Sequence, residues 1–305
     1  MQLVHQVKAL QALADRQRAE GRTIALVPTM GALHEGHLAL VDAARARADL
    51  VWVSIFVNPS QFDQRRDLVG YPRPLEADLA RCRERGVEAV FVPDEGELYP
   101  EGHQTWVQVS ELERPLCGAA RPGHFRGVAS VVTRLLIAAR PHVAVFGEKD
   151  WQQLALIRRL VRDLCFDVDV VGVPTVRAPD GLALSSRNIH LTGETRPQAL
   201  ALVRALGAAE ASVSAGECDQ RRLLGLVRQE IGKSPLAEID YAELRHPDSL
   251  AVAPETLAGP TLLALAVRFP RRDAGPGESV RLIDNRVLKV ADSGLPKTRD
   301  HRAQA

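Results

Sequence analysis

The first side chains placed to act on an anion are two histidines at the end of the run Pro28-Thr29-Met30-Gly31-Ala32-Leu33-His34-Glu35-Gly36-His37. An apolar stretch at 23–27 precedes the run and an amphipathic one at 36–48 follows it, so it spans a strand-to-helix turn. Gly31 and Gly36 let the backbone turn tightly and approach a ligand. His37 falls in the first helical turn, where unpaired N–H groups and the dipole favour phosphate. With His34 it would stabilise charge building on a triphosphate during displacement at the α-phosphorus. Taken alone, His-x-Gly-His reads equally well as a turn with two surface histidines. A zinc-protease motif is excluded, because its second histidine would fall at Leu38.

Three further clusters also follow apolar runs. Asn58-Pro59-Ser60-Gln61-Phe62 offers the Gln61 carboxamide, a donor and acceptor suited to a small hydroxylated acid, although Asn-Pro by itself marks a turn. In Gly147-Glu148-Lys149-Asp150-Trp151-Gln152-Gln153, Gly147 permits close backbone approach and Lys149 reaches phosphates. Asp150 is expected to cap the helix or meet a ribose, with Gln153 near the same face. The plainer reading is an N-capped helix with a solvated Glu-Lys pair. Val176-Arg177 and Asp180-Gly181-Leu182-Ala183-Leu184-Ser185-Ser186-Arg187-Asn188 put two hydroxyls and a guanidinium on a glycine-containing loop. That makes a clamp for terminal phosphates or a polar linker. Arg126, in Arg121-Pro122-Gly123-His124-Phe125-Arg126, opens an apolar helix and is read as part of its capped start.

The elements that must hold these clusters alternate. Strands are expected at 23–27, 50–57, 87–92, 142–146 and 167–173, and helices at 36–48, 74–85, 125–139 and 150–164. The fold class is therefore α/β, a Rossmann-like doubly wound parallel sheet, with ligands beyond the carboxyl ends of its strands. After Pro174 the order changes to helices (196–215, 219–232) and then strands (236–245, 261–269, 280–283), a smaller α+β C-terminal domain. Residues 271–278 read as a hairpin loop. The expected division is 1–176, 177–285 as a lid, and 286–305 as a loose tail.

The chain has 305 residues, 46% hydrophobic and 25% charged, with a formal charge of +1. No global field recruits nucleic acid or membrane, and no apolar run is long enough to span a bilayer. Cys82, Cys117, Cys165 and Cys218 are too scattered for a metal knuckle or disulfide framework, which points to a reducing cytoplasm. No protein metal ligands are expected.

With all four clusters in this order, the chain resembles the pantothenate synthetase family over roughly residues 1–285. The resemblance implies ATP-dependent condensation of pantoate with β-alanine through a pantoyl adenylate, with Mg²⁺ and a homodimer formed through the N-terminal domain. It implies His37 and His34, with Lys149 and Arg187 on the phosphates, as catalytic residues. ATP would lie against Met30, Gly31, Ala32, Leu33, Glu35, Gly36, Gly147, Glu148, Asp150, Val176, Leu184, Ser185 and Ser186, and Gln61 and Gln153 would hold pantoate. His190 and His142 depart from the family pattern, and 271–278 looks like an insertion. Two alternatives stay open: transfer of AMP or CMP to a phosphate acceptor, and a nucleotide-binding regulator without activity.

Overall fold

A computed structural model describes residues 1–62, 68–271 and 279–290. Six strands form one parallel sheet: β1 (Gln2–Val4), β2 (Ile24–Thr29), β3 (Leu50–Ile55), β4 (Ala89–Phe91), β5 (Val143–Gly147) and β6 (Asp169–Val173). Their order is β1-β4-β3-β2-β5-β6. Successive crossovers run from β2 through β3 to β4, whereas β5 pairs on the opposite side of β2. The strand order thus reverses between β2 and β5, where doubly wound sheets form a ligand crevice. The His34 and Lys149 turns leave the carboxyl ends of these two strands.

Alternation along the strands divides the core. Ile24, Leu26, Trp52, Phe91 and Phe146 pack on one face with helices α1 (Val7–Ala19), α4 (His124–Ala139) and α5 (Trp151–Asp163). Ala25, Val27, Val51, Val53 and Val145 face the other side, under α2 (Glu35–Arg45) and α3 (Leu75–Glu84). With both faces covered, the strands read as continuous apolar runs.

Helices α6 (Ala201–Ser214) and α7 (Gln220–Gly232) precede a second, antiparallel sheet, β7 (Glu238–Arg245), β8 (Thr261–Pro270) and β9 (Ser279–Leu288). On β8, Leu263, Leu265, Val267 and Phe269 pack with α6 and α7. Its alternate residues Leu262 and Ala264 belong to the core of the larger sheet. The small sheet is thus clamped between its own helices and the rest of the molecule.

Several expectations are corrected. β1 and α1 are additional elements at the start of the chain. The helix expected at 196–215 is broken at Leu200 into Thr195–Ala199 and α6. Asp150 makes no side-chain capping bond to α5. The loose tail does not begin at residue 286, because cross-strand pairing carries β9 through Leu288. Most of the expected 271–278 hairpin loop lies outside the described residues.

Candidate active site

The β2–α2 turn needs a backbone that most sequences resist. Gly31 has φ +84° and Ala32 φ +51°, both left-handed. A Cβ on Gly31 would meet Asp78 Oδ2 at 3.0 Å and Ile55 Cγ2 at 3.1 Å. The turn is held by α3. Asp78, buried, accepts the Ala32 N–H at 2.8 Å on Oδ2 and the Leu33 N–H at 2.7 Å on Oδ1. Arg81 donates to the Leu33 carbonyl at 2.7 Å. These two α3 side chains fix the loop ahead of the histidines, a role invisible in a stretch read only as an amphipathic helix.

The histidines then cap α2 reciprocally. His34 Nδ1 accepts the Gly36 N–H at 3.1 Å, and His37 Nδ1 accepts the His34 N–H at 3.2 Å. A ring whose Nδ1 accepts carries its neutral proton on Nε2, so each imidazole has an Nε2–H donor. Burial lowers the His34 pKa, helped by Lys149 and Arg81. Burial, with His34 and Lys149 beside it, lowers that of His37 to about 3. Both rings are therefore neutral donors near pH 7.

After β3, Asn58 braces Gln61. Asn58 Nδ2 donates to Gln61 Oε1 and to the Gly127 carbonyl, both at 3.1 Å. Its Oδ1 accepts from the Tyr99 hydroxyl at 2.9 Å. His124 Nδ1 donates to the Gln61 carbonyl at 2.7 Å, which leaves Nε2 as the acceptor in the neutral ring. Burial lowers the His124 pKa to about 4, with Arg121 adding to the effect. After β5, the carbonyls of Glu148 and Lys149 accept from Asn285 Nδ2 at 3.0 and 2.8 Å, so β9 holds the lysine turn. The adjacent glutamines divide. Gln152 is spent on the Cys117 N–H and the Leu112 and Pro115 carbonyls, whereas Gln153 faces the cavity.

These turns surround a cavity of about 240 Å³. Its lining includes Met30, His34, Gly36, His37, Gln61, Gly147, Lys149, Asp150, Gln153, Val176, Leu184, Ser185, Ser186 and Arg187. His37, Lys149 and Arg187 thus meet at one hollow. Gly31, Ala32, Leu33, Glu35 and Glu148 do not line it. The first three form the pinned loop, and Glu35 pairs outward with Arg85 at 3.4 Å. Sequence reasoning missed Tyr71, Arg121 and His124, which also line the hollow, together with an apolar wall of Val128, Val131, Val132 and Leu135 from α4. The clue for His124 was its place just before an apolar helix, beside Arg121. Arg126 instead lies over the Trp106 ring, 5.0 Å from its centroid. Among the described residues no group of three or more His, Cys, Asp or Glu side chains is arranged to hold a metal ion.

Residues 2–287 match the family model described as pantoate-beta-alanine ligase. The chain belongs to the pantoate–β-alanine ligase family. The pantothenate synthetase of Syntrophobacter fumaroxidans is 49% identical over 291 residues, covering 95% of this chain and 100% of that one. The Myxococcus xanthus pantothenate synthetase is 50% identical over 272 residues, 89% and 90% of the two chains. A crystal structure of the Thermus thermophilus pantothenate synthetase has a TM-score of 0.86 at 45% identity, covering 95% and 99%. A Francisella tularensis pantoate-beta-alanine ligase, complexed with beta-gamma ATP and beta-alanine, has a TM-score of 0.74 at 32% identity, covering 94% and 97%. The family match runs through β9 to Val287, so it includes the strand that holds the lysine turn.

Proposed function

We propose that the chain condenses pantoate with β-alanine at the expense of ATP, in two steps. The pantoate carboxylate attacks the α-phosphorus, giving pantoyl adenylate and pyrophosphate. The free amine of β-alanine then attacks the adenylate carbonyl, giving pantothenate and AMP. The observation that carries this reading is the single cavity in which two neutral Nε2–H donors, an ammonium and a guanidinium face two carboxamides and an apolar wall.

In this reading His34 and His37 donate to phosphate oxygens as charge shifts onto the leaving group, and Lys149 and Arg187 supply positive charge. Gln61 and Gln153 bind the hydroxyl and carboxylate of pantoate, while the α4 valines take its two methyl groups. Ser185 and Ser186 sit on the 177–187 loop, anchored through a bidentate Arg177–Asp284 pair at 2.7 and 2.9 Å. That loop, with the small sheet, would close over the nucleotide and keep water from the mixed anhydride. No covalent enzyme intermediate is needed.

Mg²⁺ fits this site as a companion of the nucleotide. Among the described residues, Asp150 is the carboxylate lining the cavity, and magnesium binds through one or two carboxylates plus substrate phosphates. Bound there, it would neutralise phosphate charge. We further propose a cytoplasmic homodimer joined through the larger unit, where Trp106 and Ile137 are exposed. Light scattering checks the mass, and a monomer at working concentration would refute the dimer.

Pyrophosphate–ATP exchange tests the chemistry. It should require pantoate and proceed without β-alanine. Exchange that depends on a phosphorylated acceptor would point to nucleotidyl transfer. Lys149→Ala should depress exchange by at least about a hundredfold with little change in Tm.

A further inference from the structure

The cavity holding the histidines is smaller than the roughly 300–1,000 Å³ of sites that enclose a nucleotide-sized ligand. A larger hollow of about 370 Å³ adjoins it, in the wedge between α5 and the small sheet. Lys149, Gln153 and residues 185–187 line both. Beyond that shared wall the chemistry changes. The small sheet contributes Arg268, Arg271 and Arg281, from the end of β8, the residue after it and β9.

Among the described residues, little negative charge offsets these groups. Asp240 serves two of them, 3.5 Å from Arg268 and 2.5 Å from Arg281. Asp284, on the same wall, is 2% exposed and bound bidentate by Arg177. Asp150 lies 3.7 Å from Lys149. The Tyr241 hydroxyl, on β7 of the same sheet, and the Cys117 thiol also line the hollow, the latter 3.2 Å from Arg281. A recessed wall of guanidiniums with low-dielectric sides focuses positive potential and selects a compact, multiply charged anion.

We propose that this hollow is a second anion site, which receives the pyrophosphate leaving group from Lys149 and Arg187 and holds it before release. The proposal rests on the ATP-dependent reading above. In the transfer, a bond forms between the pantoate carboxylate oxygen and the α-phosphorus. The bond from that phosphorus to the bridging oxygen of the β-phosphate breaks. Its electron pair leaves on the bridging oxygen, so pyrophosphate departs as an anion without needing a proton. Arg268 lines this hollow and not the cavity of the histidines, and its role is to bind the product.

The test uses Arg268→Ala, because Arg268 is 37% exposed and its loss leaves Asp240 paired with Arg281. Pyrophosphate is the probe, both as product inhibitor and as exchange substrate. Losing one charge-assisted contact should raise its inhibition constant and its KM in exchange by roughly tenfold. The KM for β-alanine should stay within about twofold, and Arg268→Lys should recover part of the loss. Where Arg268→Ala lowers Tm, Arg268→Gln supplies the same measurement. Both pyrophosphate constants within about twofold of wild type, in a variant with unchanged Tm, would overturn the second site while leaving the adenylation reading intact. Failure of the wild-type protein to catalyse pantoate-dependent exchange would overturn that reading itself.

Discussion

At the scale of single residues, the site depends on groups kept neutral or kept aimed. The folded-state pKa values of His37 and His124, about 3 and about 4, lie below the ordinary 6.5. The unfolded chain therefore binds more protons as pH drops below about 6.5, so stability falls with acidification and is complete only above that point. The effect is on the order of a few kcal/mol for each ring by pH 4. His37→Gln should flatten the dependence of unfolding free energy on pH between 7 and 4.5, measured by denaturant titration; identical slopes would remove His37 from this account. Asp78→Asn keeps the volume but leaves one acceptor for two backbone N–H groups. A loss of about 1–3 kcal/mol is expected, with a raised KM for ATP as the turn loosens. An unchanged KM would show the loop to be held by other means. The His34 and Lys149 turns were legible because each is contiguous in sequence. Asp78 was not, since its partners lie 45 and 46 residues away and a carboxylate in an amphipathic helix ordinarily points to water.

At the scale of elements, helix α4 does more than cover the sheet. Its Gly127 abuts the turn that carries Gln61: an added Cβ would lie 2.3 Å from the Ser60 carbonyl oxygen and 2.8 Å from the Gln61 nitrogen. Backbone cannot swing aside as a side chain can, so Gly127→Ala should push α4 and Gln61 apart. We expect a loss of about 2 kcal/mol or more and at least tenfold weaker use of pantoate. Gly147 is the control. Nothing lies within 4 Å of its added Cβ, so Gly147→Ala should fold normally, with a change within about 0.5 kcal/mol. Any loss of turnover there would report a ligand close to the backbone, and full activity would exclude that approach. The strands and most helices were legible from apolar periodicity. α1 was not, because only Leu10, Leu13 and Ala14 of its thirteen residues are buried and the apolar stripe is thin. The break at Leu200 was equally hidden, since the apolar pattern continues across it.

At the scale of the whole molecule, the small sheet braces the Lys149 turn of the candidate site. Asn285→Ala would release the Glu148 and Lys149 carbonyls from β9 without creating a buried charge. Adenylation should fall several-fold while Tm drops only slightly, and hydrogen exchange should quicken in 147–151. Protection equal to wild type there would show the clasp to be inert. The order of the two sheets was readable from the switch between alternating and segregated elements. The joint between them was not, because the contact from Asn285 to Lys149 spans 136 residues. A polar ending on a predicted strand carries no sign of what it touches.

That joint also has a consequence for the order of assembly. The Lys149 turn is finished by one of the last strands, so a refolding chain can complete its parallel sheet and still lack the proposed phosphate pocket. Recovery of catalysis should therefore lag behind burial of Trp52 within the first core.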